Sequence, residues 1–221
     1  MGLIMTSDSN DTENLLRRIH DGDQQAMGEL FGRYRERLRR MVRLRLDRRL
    51  QGRLDPSDVL QEAYIDVSNR ASEYAGNPSM PLFLWLRLIT GQRLLALHRQ
   101  HLGAQMRDAG QEVSLYRGAL PQATSVSLAN QLLGKLTSPT EAAVRAEMQL
   151  RLQEAINGMD PMDREVLTLR HFEELSNNEV AEILGIQKAA ASNRYMRALK
   201  RLKQVLTSMP GFFDNETRSS P

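Results

Sequence analysis

Residues 176–206 leave this chain little choice of fold. Ser176-Asn177-Asn178-Glu179 is a capping box, in which a serine and a glutamate three residues later satisfy free N–H groups at a helix start. Val180, Ala181, Ile183 and Leu184 supply an apolar stripe, and Gly185 ends the helix after barely two turns. Ile186 places an apolar residue in the turn. The next segment keeps Ala191, Tyr195, Ala198, Leu202 and Val205 on one side of a second helix and its charge on the other. Two helices joined by a short glycine-containing turn, with Ala181 small enough for a close crossing, meet the requirements of a helix-turn-helix.

Such a motif inserts its second helix into the major groove of DNA. Lys188, Ser192, Asn193, Met196 and Arg197 lie in the first half of that helix, where base edges are reached. Asn193 has the groups to read adenine and Arg197 those to read guanine. Arg194, Lys200, Arg201 and Lys203 are better placed for phosphates. No acidic residue occurs between Glu182 and Asp214, and a second basic stretch, 33–53, holds ten arginines against Glu36 and Asp47. The net charge is only +3 with a sequence pI of 9.4, so placement matters more than the total, and both stretches suit polyanions. The plainer alternative is that each is the solvated face of a helix.

The rest of the chain reads as all-helical. Aromatic residues make up 5%, leucine and arginine recur at helical spacing, and runs of alternating Val, Ile or Thr are missing. Thr12 is suited to cap a short helix and Asp23 a long one; Asp55-Pro56 with Asp58 and Asp160-Pro161 are further starts. The expected organisation is a disordered leader 1–11, a helical domain 12–102, a flexible linker 103–137 rich in Gly, Ser, Thr and Gln, a domain 138–207 opened by a capping box at Ser138-Pro139-Thr140-Glu141, and a disordered tail 208–221. With no cysteine, the chain has no disulfide, thiolate zinc site or cysteine nucleophile, and it suits a reducing cytoplasm. The start lacks the pattern of a secretory signal, and the most apolar segment, 82–97, is broken by Arg87, Gln92 and Arg93, so no membrane partner is expected.

The second-domain wording MDPMDREVLTLRHFEELSNNEVAEILGIQKAAASNRYMRALKRLK resembles region four of bacterial sigma factors. In the first domain, Asp55-Pro56-Ser57-Asp58-Val59-Leu60-Gln61-Glu62 resembles the region-two helix that docks on the polymerase clamp. Phe83-Leu84-Trp85-Leu86 followed by Ile89 resembles the helix behind the family's −10 surface. This two-domain plan is similar to the compact extracytoplasmic-function group. The resemblance implies a subunit that recruits core RNA polymerase to promoters and helps melt the −10 element, without a cofactor or chemistry of its own. Sigma factors of this size are often held inactive by an anti-sigma factor.

Asp58, Gln61 and Glu62, at helical spacing, would then face the clamp, unless Asp58 merely caps its helix. Tyr74, Gly76 and Asn77, read as loop residues, would form a pocket for an unstacked −10 base, with Arg87, Arg93 and Arg99 along the single strand's path. Trp85 is read as core. The sequence departs from the family where Gly91-Gln92 replaces a usual Arg-Asn on the −10 surface, where Ala96 replaces a frequent acid, and where Lys188-Ala189-Ala190-Ala191 opens the recognition helix. The main alternative is a helix-turn-helix regulator acting without core polymerase. A metal enzyme using His98 and His101 lacks a third ligand, and both histidines are read as surface groups beside a basic groove.

Overall fold

In the computed structural model, residues 5–102, 120–135 and 142–207 are described, and every regular element among them is helical. The all-α expectation therefore holds for the described residues. They divide into two compact units between Pro121 and Gln122.

The first unit is built from α1 (Met5–His20), α2 (Gln24–Arg45), α3 (Pro56–Gly76) and α4 (Leu82–Leu102). Local chemistry sets its helix starts. Asp23 caps α2 by accepting from the N–H groups of Gln25 and Ala26 at 2.9 and 3.1 Å, and pairs with Arg18 at 2.7 Å. Asp55 accepts from Ser57 N–H at 2.7 Å, while Asp58 accepts from Asp55 N–H at 3.0 Å, which closes a capping box ahead of Pro56. Along α2, Leu30, Phe31, Leu38 and Met41 point inward; Arg33 and Arg35 are exposed, whereas Arg37, Arg39 and Arg40 are half-buried. α4 is apolar on nearly all sides. Leu86, Ile89 and Leu94 are all but fully buried, each contributing about 1.5–3 kcal/mol of transfer free energy. α3 packs against α1, α2 and α4, and buried Arg45 donates to the Pro121 carbonyl at 2.9 Å.

The second unit contains α5 (Ser125–Lys135), α6 (Ala142–Asn157), α7 (Pro161–Leu167) running into a π-helical turn (Thr168–Phe172), α8 (Asn177–Leu184) and α9 (Lys188–Thr207). α6 packs against α5 and α9, and α9 also meets α7 and α8. Leu128, Leu152, Ile156, Val166, Leu167, Leu169 and Phe172 form its core.

Two expected boundaries are corrected. α1 begins at Met5, inside the supposed leader, and Thr12 lies within the helix and not at its start; buried Leu15 and Ile19 anchor it. Residues 125–135, assigned to the linker, form α5. Thr124 Oγ1 accepts from Ser127 N–H at 3.1 Å, and Leu128, Ala129, Leu132 and Leu133 make a single buried stripe. Four apolar positions at the right spacing outweigh a polar composition. The linker stretches 103–119 and 136–137, the capping box at 138–141 and the tail 208–221 lie outside the described residues.

Candidate nucleic-acid interface

The helix-turn-helix closes through its own caps. Ser176 Oγ accepts from Glu179 N–H at 3.2 Å, and Glu179 accepts from Ser176 N–H at 2.6 Å. Gly185 adopts φ 63°, ψ 31°, and the N–H groups of Gly185 and Ile186 donate to the carbonyls of Glu182 and Ala181, a Schellman stop that favours glycine. Asn177 Nδ2 donates to the Lys188 carbonyl at 2.9 Å, tying the start of α8 to the start of α9. Val180 and Leu184 on α8, and Ala191, Ala198 and Leu202 on α9, are buried.

Lys188, Ser192, Asn193 and Met196 are exposed on the outer side of α9, Met196 at 63%. A large apolar side chain left in water at the head of a basic helix suits contact with a thymine methyl. Lys200, Arg201 and Lys203 are exposed further along, with the Arg201 guanidinium lying over Gly158.

The two remaining arginines stand elsewhere than expected. Arg197 Nε and Nη2 donate to the two carboxylate oxygens of Asp163, both at 2.9 Å. Arg194 Nη1 donates to Asp163 at 2.7 Å and to Asp160 at 3.1 Å. Arg197, expected as a base reader, and Arg194, expected as a phosphate contact, are both paired on the flank of α9 that faces α7, because Asp163 is buried there and needs compensation, while the Arg197 side chain stays 59% exposed. Burial pushes the Asp163 carboxyl up, but the hydrogen bonds from Arg197 and Arg194 outweigh it and hold it below the usual range.

In the first unit, Gln61 is exposed and Glu62 half-buried, with Glu62 3.6 Å from Arg93. Asp58 is committed to the capping box, the plainer of its two readings. Arg93 forms a two-pronged pair with Asp66 at 2.7 and 2.6 Å. Gln92 is exposed and accepts from Arg70 at 3.3 Å, and Arg99 is exposed near the end of α4.

Other expected −10 residues are withdrawn into the fold. Tyr74 lies in α3 and not in a loop; it is 6% exposed, its hydroxyl donates to the Met80 carbonyl at 2.7 Å, and its ring stacks on Trp85 at 4.3 Å. Burial pushes the Tyr74 phenol up to about 12. Gly76 ends α3 beside His20, so of the proposed pocket only Asn77, the cap residue, is a loop position. Arg87 is 5% exposed and cannot line a strand's path. Trp85 is buried in the core. His98 is 1% exposed, not a surface group; its Nε2 accepts from Asp47 N–H at 3.3 Å, and burial pushes its pKa down.

The site also holds residues that spacing did not single out. Ile65 on α3 is 61% exposed and shares a face with Asp58 and Gln61; an apolar residue seven positions after Asp58 was the available signal. Gly91 packs closely: a Cβ there would run into the Leu120 side chain, so a larger residue would require that leucine to move. Among the described residues, no group of three or more His, Asp or Glu is arranged to hold a metal, and no helix is long and apolar enough to cross a membrane.

Residues 149–202 match the family model described as sigma-70, region 4, a span that includes α7, α8 and the first three-quarters of α9. The chain is similar to the RNA polymerase sigma-H factor of Pseudomonas aeruginosa, 23% identical over 200 residues that cover 88% of this chain and 93% of that protein. It is similar to the ECF RNA polymerase sigma factor SigW of Bacillus subtilis, 22% identical over 88% of this chain and 96% of that protein. CarQ of Myxococcus xanthus, an RNA polymerase sigma factor, is 26% identical over 86% of this chain and 95% of that protein. Among solved structures, CnrH in complex with the cytosolic domain of CnrY shares the fold, with a TM-score of 0.52 at 20% identity over 89% of this chain and 97% of that one.

Proposed function

We infer that this chain, a member of the extracytoplasmic-function group of bacterial sigma factors, binds core RNA polymerase, directs it to specific promoters and helps melt the −10 element. The observation that carries the reading is the α8–α9 pair: a short capped helix ending at a left-handed glycine, followed by a helix with a basic outer face, inside the segment that matches sigma-70 region 4.

The roles divide between the units. Lys188, Ser192, Asn193 and Met196 read the −35 element, and Lys200, Arg201 and Lys203 contact its phosphates. On α3, Gln61, Glu62 and the exposed Ile65 dock on the polymerase clamp, with an apolar contact among polar ones as is usual for interfaces. Asn77, Gln92, Arg93 and Arg99 border the −10 strand, Arg93 supported by Asp66. The chain works as a soluble cytoplasmic subunit with no catalytic group or cofactor, and its partners are core polymerase, promoter DNA and an anti-sigma factor.

Capture of core polymerase by the tagged chain tests this reading. Because Asp58 caps α3, the variant to compare is Gln61→Ala with Glu62→Ala and Ile65→Ala, leaving the cap intact. Wild type should retain core and the triple variant should lose most of it at an unchanged ellipticity. If neither captures core, the reading fails.

A further inference from the structure

Asp163 sits in the first turn of α7 and is 7% exposed. A carboxylate so far out of water is costly unless it is paired, and here the pairing comes from the recognition helix. Arg197 grips it through two nitrogens, and Arg194 bridges it to Asp160. Two carboxylates and two guanidiniums form a neutral cluster on one flank of α9. Of the six basic side chains from Lys188 to Lys203, two are paired to carboxylates of α7 and its cap at the protein surface, Arg194 29% and Arg197 59% exposed, next to the face that carries Ser192, Asn193 and Met196.

We propose that Asp163 restrains the recognition helix: by holding Arg194 and Arg197 away from phosphates it keeps sequence-independent DNA affinity low, so that base-facing side chains and attachment to polymerase decide where the protein settles. The proposal rests on the reading of α9 as the DNA-facing helix. Its physical basis is that phosphate contacts supply nearly all non-specific binding, and each engaged cation adds about 0.9 to the slope of log affinity against log salt. A carboxylate that served only as a strut between α7 and α9 would behave in the opposite way, since its loss would loosen α9 and weaken every DNA contact.

The test titrates the full chain with a fluorescently labelled random-sequence duplex over a series of salt concentrations, by anisotropy. Asp163→Asn should bind several-fold more tightly than wild type at low salt and steepen the slope by about 1–2 units. Arg197→Ala alone should leave the wild-type slope nearly unchanged, because that charge is already neutralised; in the Asp163→Asn background it should remove about one unit. Asp160→Asn, an exposed change that preserves the helix cap, should steepen the slope by a smaller amount, and it decides the matter if Asp163→Asn does not fold. Slopes that stay the same or become shallower in the folded variants overturn the proposal while leaving α9 a DNA-binding helix. A wild-type chain that shows no salt-dependent duplex binding overturns the reading of α9, and the proposal with it.

Discussion

Gly185 is the narrowest point of the helix-turn-helix, and replacing it gives a graded test of why the motif forms. At φ 63°, ψ 31° it occupies the left-handed region, where a Cβ costs roughly 1–2 kcal/mol. Alanine also lowers the entropy of the unfolded chain, which returns about 0.4–1 kcal/mol, so Gly185→Ala should destabilise the second unit by about 1 kcal/mol. Asparagine tolerates this conformation better than alanine, so Gly185→Asn should lose about half as much. For a domain of this size 1 kcal/mol lowers the melting temperature by about 4–8 °C. The assay can be made specific to the unit. Trp85, the chain's single tryptophan, lies in the first unit, so its fluorescence reports that unit, whereas far-ultraviolet ellipticity reports both. The expected result is an ellipticity transition that falls in the order wild type, Asn, Ala, with the Trp85 transition unmoved. An alanine variant as stable as wild type, an asparagine variant less stable than alanine, or an equal shift in Trp85 fluorescence would refute the argument.

Three further outcomes follow from the packing. Leu128→Ala should cost about 3 kcal/mol in the ellipticity transition, since Leu128 is fully buried in α5; a change under about 0.5 kcal/mol would mean that α5 does not belong to the core. Stability of the first unit, followed by Trp85 in urea, should decline as pH falls through about 6.5: the His98 pKa is lowered by burial from 6.5 in the folded state, so its contribution is complete above that value and is lost below it as the unfolded chain takes up a proton. In His98→Gln, which keeps an acceptor for Asp47 N–H, this pH slope should disappear. Tyr74→Phe, which removes the hydrogen bond to the Met80 carbonyl, should destabilise the first unit by about 1 kcal/mol and leave promoter opening intact in a run-off transcription assay; loss of opening at full stability would return Tyr74 to the −10 pocket.

The features legible in the sequence are those settled within four residues along the chain. The caps at Asp23, Asp55, Asp160 and Ser176, the prolines at first helical positions and the stop at Gly185 each satisfy a backbone group with a near neighbour, so local chemistry suffices to specify them. Helix α5 marks the limit of that approach: eleven residues are too few for a helix to stand alone, and packing against α6 makes its stripe worth burying. The fate of individual charges lay further out of reach. Arg194 and Arg197 find Asp163 across 31 and 34 positions, and Arg93 finds Asp66 across 27. Arg87 vanishes into the core although its residue type favours the surface, and so does His98, of a type with no strong preference. Periodicity determines that a helix has an outer face and which residues are candidates for it. Which of those side chains meets water, a carboxylate or DNA depends on what another helix brings within about 3 Å, and tertiary packing alone decides that.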